Sequence, residues 1–96
     1  MAEHPIHRVT AFSIVGPHRL AITFADGVTR TIDFLPVLRG ELLGPLRDLA
    51  FFESVVVDDQ AGTLVWPNGA DFDPATLHDW PAVARALAAR AKAWTR

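Results

Sequence analysis

A chain of 96 residues, half of them hydrophobic, holds enough apolar material for one core and one domain, and too much for a disordered segment. The absence of cysteine excludes disulfides, thiolate metal sites and a cysteine nucleophile, and fits a reducing setting. A net charge of −2 gives no general attraction to nucleic acid, and no run of about 18 apolar residues is there to span a membrane.

Residues 1–8 carry no apolar run and no secretory pattern, so a cytoplasmic location is expected. Residues 9–15 (VTAFSIV) are β-branched and apolar and predict a strand, ended by Gly16-Pro17-His18. Residues 19–24 alternate, with Leu20, Ile22 and Phe24 on one face. Residues 28–34 alternate as well, with Val28, Ile32 and Phe34 on one face. A two-residue Asp26-Gly27 loop pairs Phe24 with Thr29 and sends the two apolar rows to opposite faces. A three-residue loop, Ala25-Asp26-Gly27, pairs Phe24 with Val28 and Leu20 with Ile32, and both rows share a face. Because a one-residue slip flips every side chain, burial selects the second register, with Gly27 left-handed in a type I turn plus bulge. Arg30 falls on the apolar row and needs a partner or a route to water.

Residues 35–49 are apolar but broken by Pro36, Gly40, Gly44 and Pro45, which predicts short helical turns. Residues 54–58 and 63–66 form a second hairpin that pairs Val57 with Leu64 and Val56 with Val65. Both of its faces are apolar, so it is expected to be central or covered on both sides. Asp73-Pro74 marks a helix start, with a carboxylate at the cap and proline in the first turn. Pro81 begins another helix, whose narrow apolar stripe is Ala84, Leu87, Ala91 and Trp94. Residues 1–79 hold five Lys and Arg against eleven Asp and Glu, whereas residues 80–96 hold Arg85, Arg90, Lys92 and Arg96 and no acid. The chain 1–96 therefore reads as a single domain, an acidic body (1–79) with a basic amphipathic helix (80–96).

The stretch Trp66-Pro67-Asn68-Gly69-Ala70-Asp71-Phe72-Asp73-Pro74, followed by Leu77-His78, is the most distinctive in the chain. With Phe24-Ala25-Asp26-Gly27, Ile32-Asp33-Phe34, Pro45-Leu46-Arg47-Asp48, Val55-Val57-Asp58 and Gly62-Thr63-Leu64, it resembles the bacterial family known as domain of unknown function 2442. The resemblance covers roughly residues 9–78. It implies a small α+β domain of antiparallel hairpins and short helices, joined in some relatives to a helix-turn-helix. This chain ends one helix after Asp79, too little for that motif. Relatives are often encoded beside another small protein in an arrangement that looks like a toxin–antitoxin pair. The resemblance supplies no catalytic residues.

Five groups of residues invite a functional reading, and each has a plainer one. Asp71, Asp73 and His78 offer oxygen and imidazole ligands, but His78 follows Asp73 at an unsuitable spacing, and capping and turn bonds explain the acids. Asp48, Asp58 and Asp71 are not brought together by anything in the sequence, and Ser13 and Ser54 sit on predicted strands without a base. His4, His7 and His18 read as solvated histidines. Trp66-Pro67-Asn68-Gly69 reads as a strand end closed by a turn with the indole in the core, which leaves Phe72 as the exposed aromatic. The basic face of Arg85, Lys92 and Arg96 beside the Leu87–Trp94 stripe suits an acidic protein partner or a second copy of the chain better than nucleic acid.

The reading is thus an α+β fold: an N-terminal strand, two antiparallel hairpins, short helical turns and a C-terminal amphipathic helix. No catalytic residue, cofactor or metal is assigned. The expected function is a non-enzymatic protein-interaction module, antitoxin-like or regulatory, with Trp66, Asn68, Asp71, Phe72, Asp73, Arg85, Leu87, Lys92 and Trp94 as its candidate surface. A ligand-binding or enzymatic use of Trp66–Asp73, and a nucleic-acid-binding use of the basic helix, are the alternatives. No membrane partner is expected.

Overall fold

The computed structural model describes residues 7–94, Trp94 by its backbone alone. Strands β1 (Val9–Gly16), β2 (Arg19–Phe24) and β3 (Thr29–Asp33) form an antiparallel meander in the order β1-β2-β3. β4 (Val56–Asp58) and β5 (Thr63–Val65) form a separate two-stranded sheet. The helices are α1 (Gly40–Leu43), α2 (Leu49–Phe52), α3 (Pro74–His78) and α4 (Trp80–Trp94), with 3-10 turns at Leu35–Val37 and Gly44–Arg47. The two sheets meet along β1, where the Val9 amide donates to the Gly62 carbonyl at 2.9 Å.

The register between β2 and β3 is the one burial selects. Leu20 faces Ile32, Thr23 faces Thr29, and the Phe24 amide donates to the Val28 carbonyl at 2.9 Å. Gly27 has φ +89° and its amide donates to the Phe24 carbonyl, closing the three-residue loop. Leu20, Ile22, Phe24, Ile32 and Phe34 are all buried on the shared face. Arg30, opposite Ile22 on that row, finds its partner in the chain: its Nε donates to the His78 carbonyl at 2.7 Å.

The second hairpin also has the expected pairing, Val56 with Val65 and Val57 with Leu64. It is not covered on both sides, however. Val56 is 54 % exposed, whereas Val55 and Leu64 are buried. Apolar residues on both faces of a short strand do not by themselves bring a second layer.

Proline and aspartate set the helix starts. Pro74 sits in the first turn of α3 after Asp73, and Pro81 in the first turn of α4, where the Ala82 amide donates to the Asp79 carbonyl at 2.8 Å. α4 packs on its own domain. Trp80 and Ala91 are buried, and Ala84, Leu87 and Ala88 lie against the core cluster. The apolar stripe from Ala84 to Ala91 is therefore used within the chain. The Trp94 side chain, counted in that stripe on sequence spacing alone, and Arg96 lie outside the described residues.

Candidate functional sites on the helix groove and the His78 corner

The Trp66–Asp73 segment is built as structure. Trp66 is buried, its Nε1 donates to the Phe52 carbonyl at 2.8 Å, and its ring packs against Phe34, Phe52 and Phe72. Gly69, at φ +90°, donates to the Trp66 carbonyl, and Trp66 donates to the Ala70 carbonyl, so the loop folds back on itself. Asn68 Oδ1 accepts the Ala70 amide and its Nδ2 donates to the Leu42 carbonyl at 2.9 Å. Phe72 is not the exposed aromatic that the sequence suggested. It is half-buried and packs in tilted or edge geometry on Phe34, Trp66 and Trp80, while Asp71 and Asp73 on either side of it are exposed. Asp71 is exposed in a bridge with Val65. Asp73 occupies the cap position of α3, but its carboxylate takes the Thr76 hydroxyl at 3.4 Å and no amide. Pro67 alone of this segment borders a broad shallow cleft, with Pro45, Asp48, Ala50, Phe51 and Ser54.

A different surface gathers the basic residues. Pro36, Arg39, Arg85, Ala88, Ala89 and Lys92 line a groove of about 430 Å³ where α4 crosses the 3-10 turn Leu35–Val37. Its floor is proline and alanine, its polar groups are three cations, and no acid among the described residues lines it. Arg85 and Lys92 come from α4, whose inward stripe fixes which side of the helix they occupy. Arg39 joins them from the body, a residue that no helical spacing could have connected to α4.

The third arrangement lies at the end of α3. His78 Nε2 donates to Asp26 Oδ2 at 2.8 Å, and His78 Nδ1 lies 3.5 Å from Asp79 Oδ1. Its ring meets the Phe24 ring edge-on and stacks on the His7 ring, with centroids 3.8 Å apart and planes 16° from parallel. His7 reaches this place because the Ala25 amide donates to the Arg8 carbonyl, which ties the residues before β1 to the β2–β3 turn. The Asp26 carboxyl is held below its ordinary value near 3.8, first by the Val28 amide and then by the His78 imidazole. Spacing sets aside a grouping of His78 with Asp71 and Asp73; the fold puts it beside Asp26, Asp79 and His7. Nor are His7 and His18 simply solvated. His18, at φ +57° in the β1–β2 turn, donates from Nε2 to the Arg47 carbonyl at 2.9 Å and lies against Phe52. Asp48 and Asp58 are turn builders, accepting the Phe51 amide and the Gln60 and Ala61 amides respectively.

A family profile described as "Protein of unknown function (DUF2442)" matches residues 9–81. The chain belongs to the DUF2442 family. No curated protein and no solved structure matches it. The DUF2442 segment contains both hairpins, the Trp66–Asp73 loop, and Asp26, His78 and Asp79. Four of the groove residues, Arg85, Ala88, Ala89 and Lys92, lie beyond it, as does His7 at the other end. Among the described residues, no helix is long and apolar enough to cross a membrane.

Proposed function

We propose that this DUF2442 domain is a non-enzymatic interaction module whose α4 groove takes an acidic segment of a partner protein. The observation that carries this reading is the lining itself: Arg39, Arg85 and Lys92 around an apolar floor of Pro36, Ala88 and Ala89, with no acid among them. Such a groove suits a carboxylate flanked by a small apolar side chain, and the cations supply steering and register more than affinity. A regulatory or antitoxin-like role in a two-gene system, which the family resemblance implies, is one setting for such a module. The use of Trp66–Asp73 as a ligand platform has less support, since Trp66 and Phe72 are spent on the aromatic cluster.

The test is binding of a fluorescent acidic, alanine-bearing peptide, followed by anisotropy at two salt concentrations. The expected result is saturable binding that weakens with salt and falls at least about tenfold, roughly 1.4 kcal/mol, in an Arg85→Glu, Lys92→Glu double variant with an unchanged melting temperature. Binding of duplex DNA in place of the peptide, lost in the same variant, transfers the groove to nucleic acid. Binding of neither, or self-association abolished by the double variant, removes the acidic-partner reading.

A further inference from the structure

The corner at His78 holds more ligand chemistry than a helix end requires. One ligand atom from each of His7, His78 and Asp79 lies within 4.8 Å of the other two. We propose that these three residues bind a divalent transition metal of the zinc class, with Asp26 orienting His78 from behind.

Three features carry the assignment. First, the two nitrogens of His78 are not equivalent. Nε2 makes a short, strong bond to Asp26 Oδ2 at 2.8 Å, which places the proton on Nε2 and leaves the Nδ1 lone pair for an ion. This is the carboxylate–histidine–metal arrangement in which a second carboxylate fixes the tautomer and the ring. Second, the Nδ1–Asp79 Oδ1 separation of 3.5 Å is long for a hydrogen bond between nitrogen and a carboxylate. It is close to the separation of about 3.3 Å that two ligands keep across one tetrahedral zinc, given bonds of about 2.0–2.1 Å. Third, a second imidazole, that of His7, lies on the first at 3.8 Å. Parallel rings do not aim both lone pairs at one point, so His7 must turn out of the stack to ligate. It lies just before β1, outside the strand ladder, and can turn about its own side-chain bonds without disturbing the sheet.

Two imidazoles and a carboxylate favour zinc, copper, nickel or cobalt over magnesium or calcium, which take all-oxygen shells. Three protein ligands leave a fourth position open for water or for a group brought by another molecule. Zinc is placed first by its indifference to geometry.

The plainer alternative is a His78 held between Asp26 and Asp79 by polar contacts alone, which needs no His7. The experiment therefore turns on His7. Untagged, chelator-treated protein is titrated with Zn²⁺ by calorimetry and with Co²⁺ by visible absorption. One ion per chain is expected, with Co²⁺ bands of a four-coordinate site and a melting temperature raised by Zn²⁺. His7→Gln and Asp79→Asn should each weaken binding at least tenfold, and Asp26→Asn by about 10- to 100-fold. His18→Gln, which removes a histidine held by the Arg47 carbonyl, should leave binding unchanged. His7→Gln changes a residue outside every strand and helix, so loss of binding there is not loss of fold, and its metal-free melting temperature checks this. Absence of one-to-one binding overturns the site, as does an affinity that His7→Gln and Asp79→Asn leave intact.

Discussion

Two loops far apart in the chain solve the same problem in the same way. Phe24-Ala25-Asp26-Gly27-Val28 and Trp66-Pro67-Asn68-Gly69-Ala70 each begin on a buried aromatic residue whose amide donates to the carbonyl four residues on, at 2.9 Å in both. In each, the glycine donates back to the aromatic residue's carbonyl and has φ near +90° (89° and 90°). In each, the Asx Oδ1 accepts the amide two residues later, at 3.0 and 3.1 Å. The loops differ in the other Asx atom. The second oxygen of Asp26 takes the imidazole of His78; the amide nitrogen of Asn68 gives to the carbonyl of Leu42. The backbone solution is local and common to both, and one atom of one side chain decides which distant segment each loop holds.

The largest effect should come from the anchors. Phe24→Ala and Trp66→Ala are each expected to cost about 3–5 kcal/mol in urea unfolding. Trp66→Ala should be the worse, because it also removes the indole hydrogen bond to the Phe52 carbonyl and leaves that oxygen with the longer bond from the Val55 amide, at 3.3 Å. A cheap Trp66→Ala would break the parallel at its root.

Next come the glycines. No heavy atom lies within 4 Å of the position a Cβ would take at Gly27 or Gly69, so substitution there is strained by backbone conformation alone. Gly27→Ala and Gly69→Ala should each cost about 1–2 kcal/mol, and the two values should agree. A clear inequality in chemical denaturation would show that one loop relaxes and the other does not.

The Asx residues then sharpen the difference by exchange. Asn68→Asp sets a carboxylate oxygen against the Leu42 carbonyl and should cost about 1 kcal/mol. Asp26→Asn keeps the turn but removes the charge beside His78, and its signature is in pH. The folded-state carboxyl of Asp26 titrates below its ordinary value, so its contribution is fully present above that ordinary value near 3.8 and is lost as pH falls through the lowered one. Stability curves of wild type and Asp26→Asn should separate above the carboxylate range and converge in strong acid. Parallel curves throughout would remove the role of the charge.

The smallest effect belongs to Asp73. Its carboxylate meets only the Thr76 hydroxyl, at 3.4 Å, so Asp73→Ala should fall at the low end of cap substitutions, about 0.5 kcal/mol or less in thermal melting. A loss near 2 kcal/mol would mean that the amide cap forms in solution.

How far the sequence reaches can be read from these same residues. Alternation in residues 19–24 and 28–34 selected the β2–β3 register, and the spacing around Asp59-Gln60-Ala61-Gly62 gave the second, because period-two patterns state which side chains share a face. Proline placed both late helix starts. Patterns do not state what lies over a face. Hence Val56 was expected to be covered and is exposed, and Phe72 was expected outside and turns in. The corner at His78 had no local signal at all. Asp26 reads as a turn residue and His7 as part of the arm, and only tertiary structure brings them to a histidine 52 and 71 positions away. Arg39 in the groove was hidden in the same manner.

The links that hold this domain together run across very unequal lengths of chain. The meander closes through loops of two or three residues, whereas Asn68 reaches back 26 positions, Arg30 reaches forward 48 and Asp26 reaches forward 52. Each doubling of a closed loop adds about 0.6 kcal/mol of entropy to overcome, and the reward for a long closure arrives only after the cost. The order of assembly follows: the β1–β2–β3 meander condenses early, and the α3 end with its histidine docks late. Stopped-flow folding of conservative variants would reveal this as φ-values high at Leu20 and Ile32 and near zero at His78, with the reverse order ruling it out. A late-docking segment is also the first to leave, so amides of α3 should exchange with solvent at lower opening free energy than those of β2.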